Sequence, residues 1–293
     1  MSQVRFALFA RWIQSTELPL VKSFLSVCKD EGIECVVYEK TNSMLNEILS
    51  ENYATFNDGS QLSSAHDVLV SLGGDGTILD AIALVKDYQI PVLGINFGRL
   101  GFLAATSKDE IKQTIESIKR GTYHVVRREL IMAQMQHSSD EDVIVGLNEF
   151  TIQRADTSSM LSIEAYINGV HINTYWADGI IVATSTGSTG YSLSCGGPII
   201  YPAVQCFVIT PIAPHNLNVR PLVIPNDCEI SFIVNGRSSR FLTTVDTRTD
   251  SLPIGSSISL KKAPFDIKLI SLSNITFFTA LKTKLLWGMD QRN

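Results

Sequence analysis

A carboxylate stands inside a glycine loop at Gly73-Gly74-Asp75-Gly76-Thr77. Glycines at such a turn let main-chain N–H groups approach a phosphate without side-chain clash, and a helix that starts there turns its positive end toward the anion. An acid among these amides repels a phosphate, so its presence calls for chemistry: orienting a metal-bound phosphate, or taking a proton from an attacking hydroxyl. The plain alternative is a tight strand-to-helix turn in which Asp75 caps the helix. The apolar run at residues 68–72 precedes the loop, and Ile78, Leu79, Ile82 and Val85 follow at helical spacing, so the order is strand, loop, helix.

A second glycine loop reads DGIIVATSTGSTGYSLSCGGP over residues 178–198. Hydroxyls at Thr184, Ser185, Thr186, Ser188 and Thr189 alternate with Gly187 and Gly190. Such a run suits the phosphate and ribose oxygens of a nucleotide, with Tyr191 as a stacking surface, and it equally suits a polar β-loop. Asp178 precedes the apolar strand beside this loop, where a carboxylate could take ribose hydroxyls or an amino group. Asn148-Glu149 interrupts an apolar run from 143 to 152. Neighbouring strand residues face opposite ways, so this pair shares one ligand only where the strand bulges or ends. His215 and Arg220 lie in a proline-rigid segment, TPIAPHNLNVRPLVIP, and a structural role is expected of both. There is no HExxH and no aspartate cluster of metal-ligand spacing, so no metal ligands are assigned.

The elements that must position these residues change character along the chain. Apolar strands at 4–10, 33–38, 68–72 and 90–96 alternate with helix patterns at 16–29, 41–50 and after the glycine loop, and 51–65 reads as a loop. This is the signature of a parallel sheet with helices on its faces, which binds ligands beyond the carboxyl ends of its strands. Ser107 and Glu110 have capping-box spacing for a helix that stops at Gly121. From 123 to about 272 short strands and turns dominate, implying a mainly antiparallel second domain. Asn168-Gly169 marks a hairpin within 161–176, and Asn235-Gly236 gives a similar signal between 230–234 and 240–245. The expected domains are therefore 1–104, joined by a tail at about 275–293, and 105–274.

Composition narrows the function class. The 293 residues are 45% hydrophobic and 18% charged, and 24 basic against 29 acidic side chains leave a net charge of −5. Basic residues are scattered, which argues against nucleic acid as a partner. No apolar stretch reaches the roughly 18 residues that a membrane helix needs. Five cysteines, an odd number without CxxC spacing, fit a reducing cytoplasm better than a disulfide framework.

Taken in order, GGDGT at 73–77, NFGRLGFL at 96–103, NE at 148–149, STGSTGYSLSCGGP at 185–198 and PHNLNVRPLVIP at 214–225 resemble the NAD kinase family. Lipid kinases of the diacylglycerol and sphingosine type and phosphofructokinases carry loops like the first; the NE and TGSTGYS segments separate NAD kinases from them. The resemblance implies an N-terminal α/β domain of the phosphofructokinase and diacylglycerol-kinase type with a β-rich C-terminal domain. It implies ATP-dependent phosphorylation of the 2′-hydroxyl on the adenosine ribose of NAD, with Mg²⁺ or another divalent cation arriving on ATP, in a homodimer or homotetramer. It makes Asp75 the general base, places Gly73, Gly74, Gly76 and Thr77 in the phosphate loop, and gives ribose hydroxyls to Asn148 and Glu149. Asp178 then contacts the dinucleotide, Thr189, Gly190, Tyr191 and Ser194 line the adenosine pocket, and Thr186 and Arg248 fall at further ligand positions. A lipid kinase and a non-catalytic NAD sensor are the alternatives. Three departures stand out: Asp80 where many relatives have a basic residue, Trp176 where many have Arg, and Gly190 in place of a common alanine, a change expected to leave the loop shape intact.

Overall fold

The computed structural model describes residues 4–46, 53–65, 67–98, 101–103, 106–137, 140–156, 159–272 and 277–288. Two units emerge, Met1–Arg127 with Ile267–Asn293, and Arg128–Asp266.

In the first unit the chain runs β1 (Arg5–Phe9), α1 (Leu18–Asp30), β2 (Glu34–Tyr38), α2 (Glu39–Asn46), β3 (Ala54–Phe56), β4 (Asp67–Leu72), α3 (Asp75–Val85), β5 (Val92–Asn96), β6 (Thr106–Ser107) and α4 (Ile111–Arg120). The strands pair in parallel in the order β5-β4-β1-β2-β3. Continuous apolar runs suit this sheet because β4 and β5 are buried along their whole length. One polar residue inside β4, Asp67, is held by the Arg5 guanidinium at 2.7 and 2.8 Å and by the Ser63 N–H at 2.6 Å. Strand order turns back between β1 and β4, which makes their carboxyl ends the switch point where such sheets bind ligands.

Two expectations shift here. The segment 51–65 carries a short strand, β3, too brief to show periodicity; Phe56 packs on Tyr38 with ring centroids 5.7 Å apart. The expected domain boundary after residue 104 moves to 127, because Ile111, Ile115 and Ile118 of α4 join the apolar cluster containing Phe24 and Leu25 of α1. The Ser107–Glu110 capping box forms, opening a 3₁₀ turn at Lys108–Glu110 that leads into α4, and Gly121 ends the helix with φ +70°. Residues 47–50 of the expected second helix lie outside the described residues, as do Arg99 and Leu100 of the NFGRLGFL segment.

The second unit contains β7 (His124–His137) from Arg128 onward, β8 (Asp140–Gly146), β9 (Glu149–Arg154), β10 (Leu161–Ile167), β11 (Val170–Ala177), β12 (Gly179–Thr184), α5 (Tyr191–Ser194), β13 (Cys206–Ile212), β14 (Leu222–Pro225), β15 (Ile230–Asn235), β16 (Arg240–Val245), β17 (Arg248–Pro253) and most of β18 (Ser257–Ser271). One sheet runs β14-β13-β12-β9-β16-β17, and a second contains β11-β10-β15-β18. Pairing is antiparallel across both. Ile152, Val182, Phe207 and Phe241 of the first sheet meet Ile163, Phe232 and Leu260 of the second in one core. The other face of β12 is covered too, since Ile181 and Ala183 pack with Ile200 and Val208.

Asn168 and Gly169 both take positive φ, +49° and +78°, which is the type I′ hairpin between β10 and β11. Asn235-Gly236 makes no hairpin. The strands on either side belong to different sheets, and neither residue takes the positive φ that the turn requires. Gly236 is instead a close-packed crossing beside Ile254 and Leu161.

The chain returns to the first unit at Ile267, earlier than the expected tail at about 275. Leu269 pairs in parallel with Val92, and Ile270 joins the first unit's core. The last described element is α6 (Phe277–Leu285); residues 275, 276 and 289–293 of the expected tail lie outside the described residues.

Candidate functional site

In the first unit the glycine loop joins β4 to α3 at the switch point. Gly73 has φ +145°, and a Cβ there would lie 2.4 Å from Thr77 Oγ1, so only glycine makes this turn. Gly74 is the N-cap and Asp75 the first helical residue, with no side-chain cap bond. Asp75 thus lies inside the helix, one residue past its N-cap. Its carboxylate reaches across to a distant segment, accepting from Phe102 N at 2.8 Å on Oδ2 and from Leu103 N at 3.1 Å on Oδ1. Gly101 makes the approach possible, since a Cβ there would fall 1.7 Å from Asp75 Oδ1.

Asp80, one of the departures, faces Arg11 beyond the end of β1 at 3.4 Å. The position thus carries an acid whose partner cation comes from the segment just after the first strand.

In the second unit the Asn148-Glu149 pair sits where β8 has ended and β9 begins. This break removes the objection that adjacent strand residues face apart. What holds the break is a residue that sequence reasoning passed over: Asp246, with φ +53° at the turn after β16. Its carboxylate accepts from Leu147 N (2.7 Å), Asn148 N (2.8 Å) and Glu149 N (3.1 Å), and its own N–H donates to the Glu149 carbonyl at 3.0 Å. The acid in VDTR, directly after an alternating strand, was the available signal. Arg248, two residues on, donates to the Val145 carbonyl.

Burial raises the Glu149 carboxyl to about 8, the nearby Asp246 charge adds to the rise, and the Tyr191 N–H opposes it. Asp246 is raised as well, by burial, against the pull of its three N–H bonds and Arg248. Those bonds favour the charged form of Asp246, so near pH 7 the proton of this pair resides on Glu149. A carboxyl whose folded value lies above its unfolded 4.5 contributes stability that is complete below about 4.5 and is lost as pH rises through about 8. Stability should fall between these limits by at most about 1.4 kcal/mol per pH unit from this group. Urea denaturation at pH 5.5 and 8.5 should show that slope in the parent, and Glu149→Gln should flatten it.

The hydroxyl-rich loop is built against this pair. Thr184 donates to the Leu147 carbonyl at 2.6 Å, Ser185 to Pro202 O at 3.1 Å and Ser188 to Ser185 O at 2.8 Å. These three hydroxyls, read from sequence as nucleotide contacts or loop supports, act on the main chain. Thr189 Oγ1 reaches Thr186 O only at 3.5 Å; Thr186 is buried and Thr189 half-buried. A Cβ on Gly187 would lie 2.1 Å from Asn148 O, which ties the loop to the dipeptide. Tyr191 and Ser194 are exposed on the short α5, and the Tyr191 hydroxyl accepts from Gln153 Nε2 at 2.9 Å.

Gly190 proves tighter than its alignment with alanine implied. Its φ of −91° is not in the left-handed region that favours glycine. A Cβ, however, would meet Glu149 Oε2 at 2.9 Å and Gly187 O at 3.1 Å. Gly190→Ala should displace the Glu149 carboxyl at a cost on the order of 1 kcal/mol, read as a lower midpoint in urea denaturation.

Asp178 forms an ion pair with Arg154 at 3.1 Å, and Arg154 N donates to the Asp178 carbonyl at 2.9 Å. Trp176 is exposed, and its carbonyl accepts from His215 N at 2.7 Å. Arg220 donates to Leu217 O and Val219 O at 2.7 and 2.8 Å, consistent with a structural role for that loop.

Residues 7–123 match the ATP-NAD kinase N-terminal domain family and residues 147–272 the ATP-NAD kinase C-terminal domain family. A protein named NAD kinase from Flavobacterium psychrophilum is 42% identical over 99% of this chain and 100% of its own length. One of the same name from Bacteroides fragilis is 39% identical over 99% of this chain and 100% of its own. Among solved structures, yeast NADH kinase complexed with NADH superposes with a TM-score of 0.89 at 22% identity, over 99% of this chain and 89% of that one. The NAD kinase of Archaeoglobus fulgidus in complex with ATP gives 0.73 at 25%, over 97% and 99%. With full-length relatives well above 30% identity and both domain families matched, the chain belongs to the NAD kinase family.

Proposed function

We propose that this chain transfers the γ-phosphoryl group of ATP to the 2′-hydroxyl on the adenosine ribose of NAD, with Asp75 as general base. The observation that carries the assignment of the base is the placement of its carboxylate at the first turn of α3, oriented by two main-chain N–H groups. A secondary alcohol is a weak nucleophile near neutral pH, and a carboxylate within hydrogen-bond reach removes that barrier. The 2′-oxygen gives its proton to Asp75 and bonds to the γ-phosphorus. The bond from that phosphorus to the β–γ bridging oxygen breaks, and ADP leaves. Main-chain N–H groups of Gly74 and Gly76, with the positive end of α3, offset charge on the transferred group, and Thr77 closes the phosphate loop through its N–H to the Gly74 carbonyl at 3.0 Å.

Asn148 and Glu149 hold ribose hydroxyls. A protonated Glu149 donates as well as accepts, which suits a partner that does both. Asp178 contacts the dinucleotide, Thr189, Gly190, Tyr191 and Ser194 line the adenosine pocket, and Thr186 and Arg248 act around it. Among the described residues no group of three His, Cys, Asp or Glu side chains could hold a metal ion. We assign Mg²⁺, or another divalent cation, to ATP as it enters, keeping several of its waters.

We further propose a cytoplasmic homodimer or homotetramer. All five cysteines are free thiols, which suits a reducing compartment, and no helix among the described residues is long and apolar enough to cross a membrane. Light scattering of the purified chain tests the assembly.

The activity is tested by incubating the protein with NAD, ATP and Mg²⁺ and coupling any NADP formed to an NADP-dependent dehydrogenase. NADP should accumulate. Tight NAD binding without NADP would instead mark a sensor, and phosphorylation of diacylglycerol alone a lipid kinase.

A further inference from the structure

The carboxylate of Asp75 owes its orientation to Phe102 and Leu103, yet these residues belong to no strand or helix. Their neighbour Gly101 has no side chain with which to anchor the segment. A contact that holds it lies on the Phe102 ring. Phe277, the first residue of α6, packs on that ring with centroids 6.4 Å apart and planes tilted by 47°. Lys284, two turns further along α6, places Nζ 5.1 Å from the ring centroid. Leu281, between them in sequence, is buried and anchors the helix. Phe278 meets Phe277 edge-on at 5.9 Å.

We infer that the C-terminal helix is a positioning element for the catalytic carboxylate, acting through Phe277 and Lys284 on Phe102 and from there through the Phe102 and Leu103 N–H groups. This inference rests on the reading of Asp75 as the base. The ring is held by a tilted aromatic ring and by a cation, two contacts that each favour a defined ring position. Because Phe102 N is attached to the clamped residue, sliding the ring moves the donor that aims Asp75 Oδ2. Small errors in aim are costly, since a misplacement of about 1 Å can reduce a rate on the order of 100-fold.

The inference separates from a merely structural role by kinetics on the full chain. Phe277→Ala should lower kcat about tenfold and Lys284→Ala about threefold, with KM for NAD and for ATP changed less than twofold. Lys284→Arg, which keeps the cation over the ring, should restore the parent rate. Amide hydrogen exchange at Phe102 and Leu103 should accelerate about tenfold in Phe277→Ala. On an Asp75→Asn background, Phe277→Ala should change the residual rate less than twofold, because no base remains to be aimed.

The inference is overturned if kcat is unchanged in both single variants, or if Phe277→Ala slows the Asp75→Asn enzyme by the full tenfold. Lys284 is an exposed residue, so its variants keep the test alive if Phe277→Ala folds poorly. An Asp75→Asn enzyme of parental rate would defeat the base assignment instead. Amide exchange at Phe102 and Leu103 would then still decide whether α6 holds their segment.

Discussion

Asp75→Asn lowers kcat by a factor of about 10²–10⁴, the usual worth of a positioned general base, and leaves KM for NAD within a few-fold. That range corresponds to roughly 3–5.5 kcal/mol of transition-state stabilisation. Structure adds a second consequence. Both carboxylate oxygens accept a main-chain N–H, from Leu103 and Phe102, whereas an amide offers one acceptor and one donor group. One N–H is then left facing another donor, so the variant should also lose on the order of 1–3 kcal/mol of local stability around residues 101–103. Coupled-assay kinetics report the first effect and amide exchange the second. NADP formation at a near-parental rate would remove Asp75 from the chemistry.

Asp246→Ala produces the largest stability loss expected in the second unit, about 3 kcal/mol or more. Three main-chain N–H groups at residues 147, 148 and 149 converge on this one carboxylate, and each unsatisfied donor costs about 1–3 kcal/mol, less what entering water recovers. Asp246→Asn should fall between parent and Ala. Its retained Oδ1 can keep the bonds from Asn148 and Glu149, while its amide nitrogen opposes Leu147 N. Urea denaturation distinguishes the three proteins. The same substitutions remove a charge that raises the Glu149 carboxyl, so Glu149 should ionise at lower pH in both, as followed by carbon NMR of the side chain. An unchanged Glu149 titration would show that burial alone sets its value.

Several features were readable because they are written in neighbouring residues. The strand–loop–helix around Gly73–Thr77 depends on contiguous apolar and glycine positions, and the Asn168-Gly169 hairpin and the Ser107–Glu110 box depend on spacings of one and three. Signals of the same kind failed where tertiary packing overrode them. Asn235-Gly236 has the composition of a hairpin turn, but its flanking strands found better partners in separate sheets. The brief β3 had too few residues to show a period. The domain boundary moved because α4, whose sequence says only that it is amphipathic, buries its apolar face against the first unit's core.

The candidate site divides in the same way. Residue types by themselves drew attention to Asp75, Asn148, Glu149 and Asp178 but left a helix cap and a solvent-facing strand pair as equally plain readings. Their family resemblance supplied an activity, which full-length relatives support. Sequence could not say which hydroxyls of residues 184–189 support the loop, because Thr184, Ser185 and Ser188 reach carbonyls between 3 and 37 residues away. Nor could it find Asp246, whose partners lie 97 to 99 residues earlier, or foresee that Gly101 is required by the Asp75 carboxylate. Sequence by itself determined the order of the elements, the two-part architecture and the chemical character of the residues, because these follow from local pattern and side-chain type. Only the tertiary structure decided what orients each acid and which proton it holds, because orientation and protonation depend on N–H donors, burial and charges that distant segments bring into contact.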